Sequence, residues 1–107
     1  MKKEPREPRY AISIAARMVG IETHTIRYYE KIGLIHPFRS KGNIRYYSEE
    51  DIDLLQHIKT LTEDVGISPA GVEVVMRMAR QMLEMQNRLN EMEARMRLLE
   101  EAGEEPF

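Results

Sequence analysis

Residues 13–48, SIAARMVGIETHTIRYYEKIGLIHPFRSKGNIRYYS, decide the fold of this 107-residue chain. Ser13 is placed to cap a first helix whose apolar face is Ile14, Ala15, Met18 and Val19, and Gly20 stops it. A second helix runs over 23–32, with Thr23 as its cap and Gly33 closing it. Two short helices joined by a tight glycine turn form a helix-turn-helix. Ile26, Tyr29 and Ile32 recur at helical spacing and should face a core, while the later Tyr47 is open between a wing contact and a packing residue. Thr23, His24, Arg27, Tyr28 and Lys31 then fall on the other side. That side is polar, cationic and aromatic, as a helix entering a major groove requires.

Working outward, residues 35–47 read as a hairpin, with Gly42-Asn43 as its tight-turn pair. Arg39 and Lys41 flank the turn on one side and Arg45, Tyr46 and Tyr47 on the other, so the hairpin is a wing whose guanidinium and phenol groups suit phosphate oxygens and a minor groove. Tyr10–Ile12 is a short edge strand. The preceding tail, MKKEPREPR (1–9), carries two prolines and mixed charge and should be unstructured and basic.

Ser48 and Asp51 form a capping box that opens a third helix, striped by Ile52, Leu54, Leu55, Ile58, Leu61 and Thr62 and ended by Gly66. Ser68-Pro69 restarts a helix. Along it, apolar residues recur at Val75, Met78, Met82, Met85, Leu89, Met92, Met96 and Leu99, alternating steps of 3 and 4. This is a heptad seam, and the stretch 80–101 would be roughly 33 Å long. A seam cannot bury itself alone, so a second copy is the natural partner. The methionines are seam filling, soft and weakly specifying. Arg88 and Arg95 match Glu93 and Glu100 across a parallel pair, but Glu84/Arg88 and Glu91/Arg95 pair equally well within one helix, so charge leaves strand direction open.

Charge divides along the chain. Residues 1–48 hold ten Lys or Arg against four Glu, a balance of +6, and residues 49–107 hold six against fourteen acids, a balance of −8. A basic front and an acidic back suit a molecule that meets phosphate with one end. There is no cysteine, which excludes disulfides and thiolate metal sites. No apolar signal segment or membrane span follows the start, so the expected place is the cytoplasm and no membrane is involved. His24, His36 and His57 stand with no nucleophile or orienting acid at a recognisable spacing, and no Gly-rich phosphate loop occurs. An enzyme, a metal site and a cofactor are not expected. A pure protein-interaction module is the other rival, but it has no use for an arginine-tyrosine wing.

TIRYYE (25–30), then GLI (33–35), Pro37, Arg39, Gly42, RYYS (45–48) and Asp51-Ile52 resemble the MerR family of bacterial transcription regulators. Segment 61–75 and the opening YAISIAA (10–16) are similar to its heat-shock repressor subgroup, HspR. The resemblance implies a mainly α fold: a winged helix-turn-helix DNA-binding domain over 10–79, a dimerising coiled coil over 80–101, antiparallel between copies, and a flexible tail over 102–107. It implies a homodimer on an inverted repeat of double-stranded DNA, repressing chaperone genes with DnaK as co-repressor. An activator that remodels a promoter spacer is the alternative. By the same resemblance DNA contacts come from Thr23, His24, Arg27, Tyr28, Arg39, Lys41, Asn43, Arg45 and Tyr46, with His24 reading a base. Glu22 stands where the family often has serine, so the helix start shifts to Thr23. With no effector domain after the coiled coil and no cysteine, a metal, drug or superoxide sensor is disfavoured. Pro106-Phe107 is either an apolar hook or a frayed end.

Overall fold

The computed structural model describes residues 4–103. The order is β1 (Tyr10–Ala11), α1 (Ile12–Val19), α2 (Thr23–Lys31), β2 (Phe38–Arg39), β3 (Arg45–Tyr47), α3 (Glu49–Lys59), a wide π-helical turn (Thr60–Val65) and α4 (Pro69–Gly103). The fold is mainly helical, and the described chain divides into two compact units between Glu73 and Val74, ahead of the 79/80 boundary that the resemblance implies.

In the first unit the strands form one antiparallel sheet in the order β1-β3-β2. Tyr10 pairs with Tyr47 and Ala11 with Tyr46. Phe38 pairs with Tyr46 and Arg39 with Arg45. The core gathers Ala15, Ala16 and Val19 of α1, Ile26 and Tyr29 of α2, Leu34 and Ile35 of the loop, Tyr47, then Ile52, Leu55 and Ile58 of α3, and Val72. Tyr29 and Tyr47 are thus packing residues. Ile14 and Met18 are exposed, contrary to the face drawn from hydrophobicity, and Ile32, Leu54, Leu61 and Thr62 are only half-buried. Small alanines let α1 approach its neighbours closely, so the buried stripe follows size rather than apolar strength.

The caps divide in the same way. Ser48 Oγ accepts from Asp51 N and Asp51 Oδ2 accepts from Ser48 N, both at 3.0 Å, completing the expected capping box. Ser68 Oγ accepts from Gly71 N at 3.1 Å and starts α4 at Pro69. By contrast, Ala11 and not Ser13 stands at the start of α1, and Glu22 precedes α2; neither makes a side-chain cap, and Thr23 lies inside its helix. Gly20, at φ +84, ends α1 in the left-handed region, and Lys59 Nζ donates to Val19 O at 3.1 Å, satisfying a carbonyl at that helix end. A Cβ on Gly20 would lie 3.0 Å from the Lys59 ammonium.

The wing turn differs from the Gly42-Asn43 pair expected. Asn43 N donates to Ser40 O at 2.8 Å, and Ser40 N donates to Ile44 O at 2.9 Å, giving a three-residue loop, Lys41-Gly42-Asn43. The left-handed residue is Asn43, at φ 63, not the glycine. Three-residue hairpins end on such a residue, and asparagine tolerates it.

Residues 4–9 are also more ordered than their composition suggests. Glu50 N donates to Pro5 O at 2.9 Å and Arg9 N to Tyr47 O at 3.1 Å. Arg6 pairs with Glu50 at 3.7 Å, and Tyr10 Oη donates to Glu49 at 3.2 Å. The acids of the α3 start draw the basic segment in, and β3 offers it a strand edge. Residues 1–3 and 104–107, including Pro106-Phe107, lie outside the described residues.

The second unit is the rest of α4. Its seam residues from Val75 (52% exposed) to Leu99 (72%) are all more than half exposed in the single chain. No helix among the described residues is long and apolar enough to cross a membrane.

Candidate nucleic-acid interface

The site is built from α2 and the wing. On α2, Ile26 and Tyr29 point to the core, which leaves His24, Arg27, Tyr28 and Lys31 on the exposed side and Thr23 half-buried at its edge. The Tyr28 ring leans on Tyr29, with centroids 6.4 Å apart and planes tilted by 50°. One aromatic is buried and anchors the other, which stays about half exposed. The start of α2 carries no side-chain cap, with Glu22 at the N-cap position.

On the wing, Arg39, Lys41 and Asn43 are exposed, and Arg45 and Tyr46 are half-buried. Arg39 and Arg45 sit opposite one another across the strand pair. Two like charges so placed repel, and here Glu30 of α2 separates them. Glu30 Oε2 accepts from Arg39 Nη2 at 2.7 Å, and Glu30 Oε1 accepts from Arg45 Nε at 2.6 Å. Arg39 Nη1 also donates to Asn43 Oδ1 at 3.0 Å. One carboxylate therefore fastens both wing strands to the recognition-type helix. Burial works against the Glu30 charge, but the hydrogen bonds from Arg45 and Arg39 outweigh it and hold the carboxyl below its ordinary value.

The expected residues are therefore brought together in part. Thr23, His24, Arg27 and Tyr28 share one helix, and Arg39, Asn43 and Arg45 are tied to it through Glu30. Lys41 is exposed in the wing loop. Tyr46 is separated from them: strand alternation puts it on the sheet face opposite Arg45 and Tyr47, where it lines a recess with Arg6, Pro8, His36 and Phe38. The residue missed by the sequence reading is Glu30. Its signal was an acid on an otherwise basic helix, followed by two wing arginines.

Tyr47 lies beneath this latch. Its hydroxyl is buried without a hydrogen-bond partner among the described residues. Burial, then the nearby Glu30 charge, pushes the phenol up to about 12.

Comparison with known proteins points the same way. A model of the MerR helix-turn-helix family of regulatory proteins matches residues 10–79. The chain is 39% identical over 87 residues to the putative heat shock protein HspR of Streptomyces coelicolor, covering 81% of this chain and 58% of that protein. It is 39% identical over 79 residues to the HTH-type transcriptional regulator GlnR of Bacillus cereus, covering 73% and 60%. The chain thus spans less than two thirds of either relative. Among solved structures, HiNmlR, a MerR family regulator lacking the sensor domain and bound to promoter DNA, matches with a TM-score of 0.57 at 25% identity, covering 82% of this chain and 67% of that one. A MerR family transcriptional regulator from Bacillus cereus gives 0.53 at 25% identity, covering 81% and 76%.

Proposed function

The chain belongs to the MerR helix-turn-helix family, and from that premise we propose that it is a sequence-specific transcription regulator that binds double-stranded promoter DNA as a homodimer on an inverted repeat. The observation that carries this reading is the exposed row His24, Arg27, Tyr28 and Lys31 on α2, held beside a wing whose two arginines are fastened to Glu30 of the same helix. His24, early on α2, reads a base edge in the major groove. Arg27, Lys31, Lys41 and the outer nitrogens of Arg45 meet phosphates and fix register. The exposed seam of α4 calls for a second copy, since eight large apolar side chains otherwise stay in water.

The finer role is repression of chaperone genes, supported by the 39% identity to HspR. The equal identity to GlnR supports a regulator of other genes as the alternative. The sign of regulation follows from where the operator lies, so activation by remodelling a promoter spacer is the other outcome. DnaK is the co-repressor that the heat-shock resemblance implies.

Selection of bound duplexes from a random library, at near-physiological salt, tests the reading. The expected product is an inverted repeat, and its sequence beside chaperone promoters would support the finer role. DnaK added to the same binding assay should tighten the complex if it is the co-repressor. Absence of any two-fold motif, with and without DnaK, would favour the interaction-module rival.

A further inference from the structure

We propose that Glu30 is a positioning residue for specificity: by holding Arg39 and Arg45 against α2 it fixes the register between wing contacts and helix contacts, and so favours the operator over other DNA. This rests on the DNA-regulator reading above.

An acid on a surface that meets phosphate is unfavourable for attraction alone, because non-specific affinity grows with the positive charge presented. Its presence here is explained by what it holds. Each Glu30 oxygen takes one arginine, at 2.7 and 2.6 Å, and these arginines belong to the two paired strands of the wing. Those strands are only two and three residues long, too short to fix the hairpin's direction on their own. Glu30 supplies the missing constraint from the helix that carries His24. Its side chain is only 19% exposed, so water competes weakly for it.

The two arginines are used differently. Arg39 gives one terminal nitrogen to Glu30 and the other to Asn43, so it is committed to the latch. Arg45 gives only Nε, and its two terminal nitrogens take no other hydrogen bond among the described residues. Arg45 is thus aimed by its inner nitrogen and offers its outer pair. An arginine held in this way has lost its rotamer freedom before DNA arrives, which lowers the ordering cost of the specific complex. Non-specific complexes gain little from fixed geometry and lose one unit of attraction.

The test compares wild type, Glu30→Gln and Glu30→Asp, as full-length chains, on the library-selected operator and on a scrambled duplex over a range of salt. Thermal unfolding checks that each variant is folded. Glu30→Gln removes the charge, so scrambled DNA should bind more tightly, with a salt slope steeper by about one. Operator binding should weaken roughly tenfold, the scale of one charge-assisted hydrogen bond. Glu30→Asp keeps the charge but shortens the reach; it should weaken operator binding and leave scrambled binding unchanged. Tighter binding of both duplexes by Glu30→Gln, with Glu30→Asp like wild type, would mean that Glu30 only competes with DNA, and would overturn the proposal. An unchanged operator-to-scrambled ratio in both variants would overturn it too. Should Glu30→Gln fail to fold, Glu30→Asp decides alone. A wild type that does not distinguish the two duplexes would defeat the DNA-regulator reading itself.

Discussion

The unit before Val74 and the helix after it solve the problem of stability in opposite ways. The first packs three helices, a wing and the opening turn of α4 around Tyr47, Leu55 and Ile58, all fully buried. The second is one helix whose regularly spaced apolar residues are all more than half exposed. Burial of apolar area is the main favourable term in folding, so the front supplies its own, whereas the back, on the proposed reading, takes it from a second copy. A small domain of this kind can present a reading surface, and on the proposed reading the pairing of two such surfaces falls to the exposed seam of α4.

The largest effect that separates the two regions should come from Leu89→Asp. It places two charges in a seam between copies and should weaken the dimer by at least about 100-fold. Sedimentation should show monomers whose front unit still gives a folded circular dichroism signal. Retained dimers would place the interface elsewhere. Next in size, Leu55→Ala empties part of the front core and should cost roughly 2–5 kcal/mol in urea unfolding. A change in dimer mass at low denaturant would show that the two regions are not as separate as the burial pattern makes them. His24→Ala should leave both folding and pairing alone and relax selection at one position per half-site by roughly 1–3 kcal/mol. A uniform loss over all sequences would demote His24 to a register contact.

The smallest effect concerns Tyr47. Replacing it by Phe removes a buried hydroxyl without a partner and should be neutral or stabilising by up to about 1 kcal/mol. Its pH signature has a definite sign. The phenol is raised from 10.0 to about 12, so its contribution is complete below pH 10 and is lost as pH rises toward 12. Tyr47→Phe should remove that part of the alkaline loss, measured by chemical unfolding at pH 9 and above. Glu30 has the opposite sign: its depressed value stabilises the fold at neutral pH and gives way as pH falls through it.

What could be read directly from the sequence was what depends on near neighbours. The Ser48–Asp51 box and the Ser68-Pro69 start are bonds three residues long, and the heptad seam repeats within one helix. The helix-turn-helix and the wing followed from the glycine at 20 and the Gly42-Asn43 pair, although the loop is Lys41-Gly42-Asn43 and its left-handed residue is Asn43. The latch was not legible in this way. Glu30 meets Arg39 and Arg45 across nine and fifteen residues, and periodicity assigns a face but not a partner. The same limit hid the clasp of residues 5–9 on α3 and the turning of Tyr46 away from Arg45, both set by which strand edges meet. In α1 the expected face of Ile14, Ala15, Met18 and Val19 was half right: close packing kept Ala15 and Val19, added Ala16, and left Ile14 and Met18 exposed.

Hydrogen exchange at two protein concentrations, one above and one below the dimer constant, tests the division of labour most directly. Amides of α1, α2 and α3 should keep their protection on dilution, while those of α4 from Val75 to Leu99 should lose it. Protection of α4 that is independent of concentration, in a chain of monomer mass, would contradict the claim that this helix is completed by a second copy.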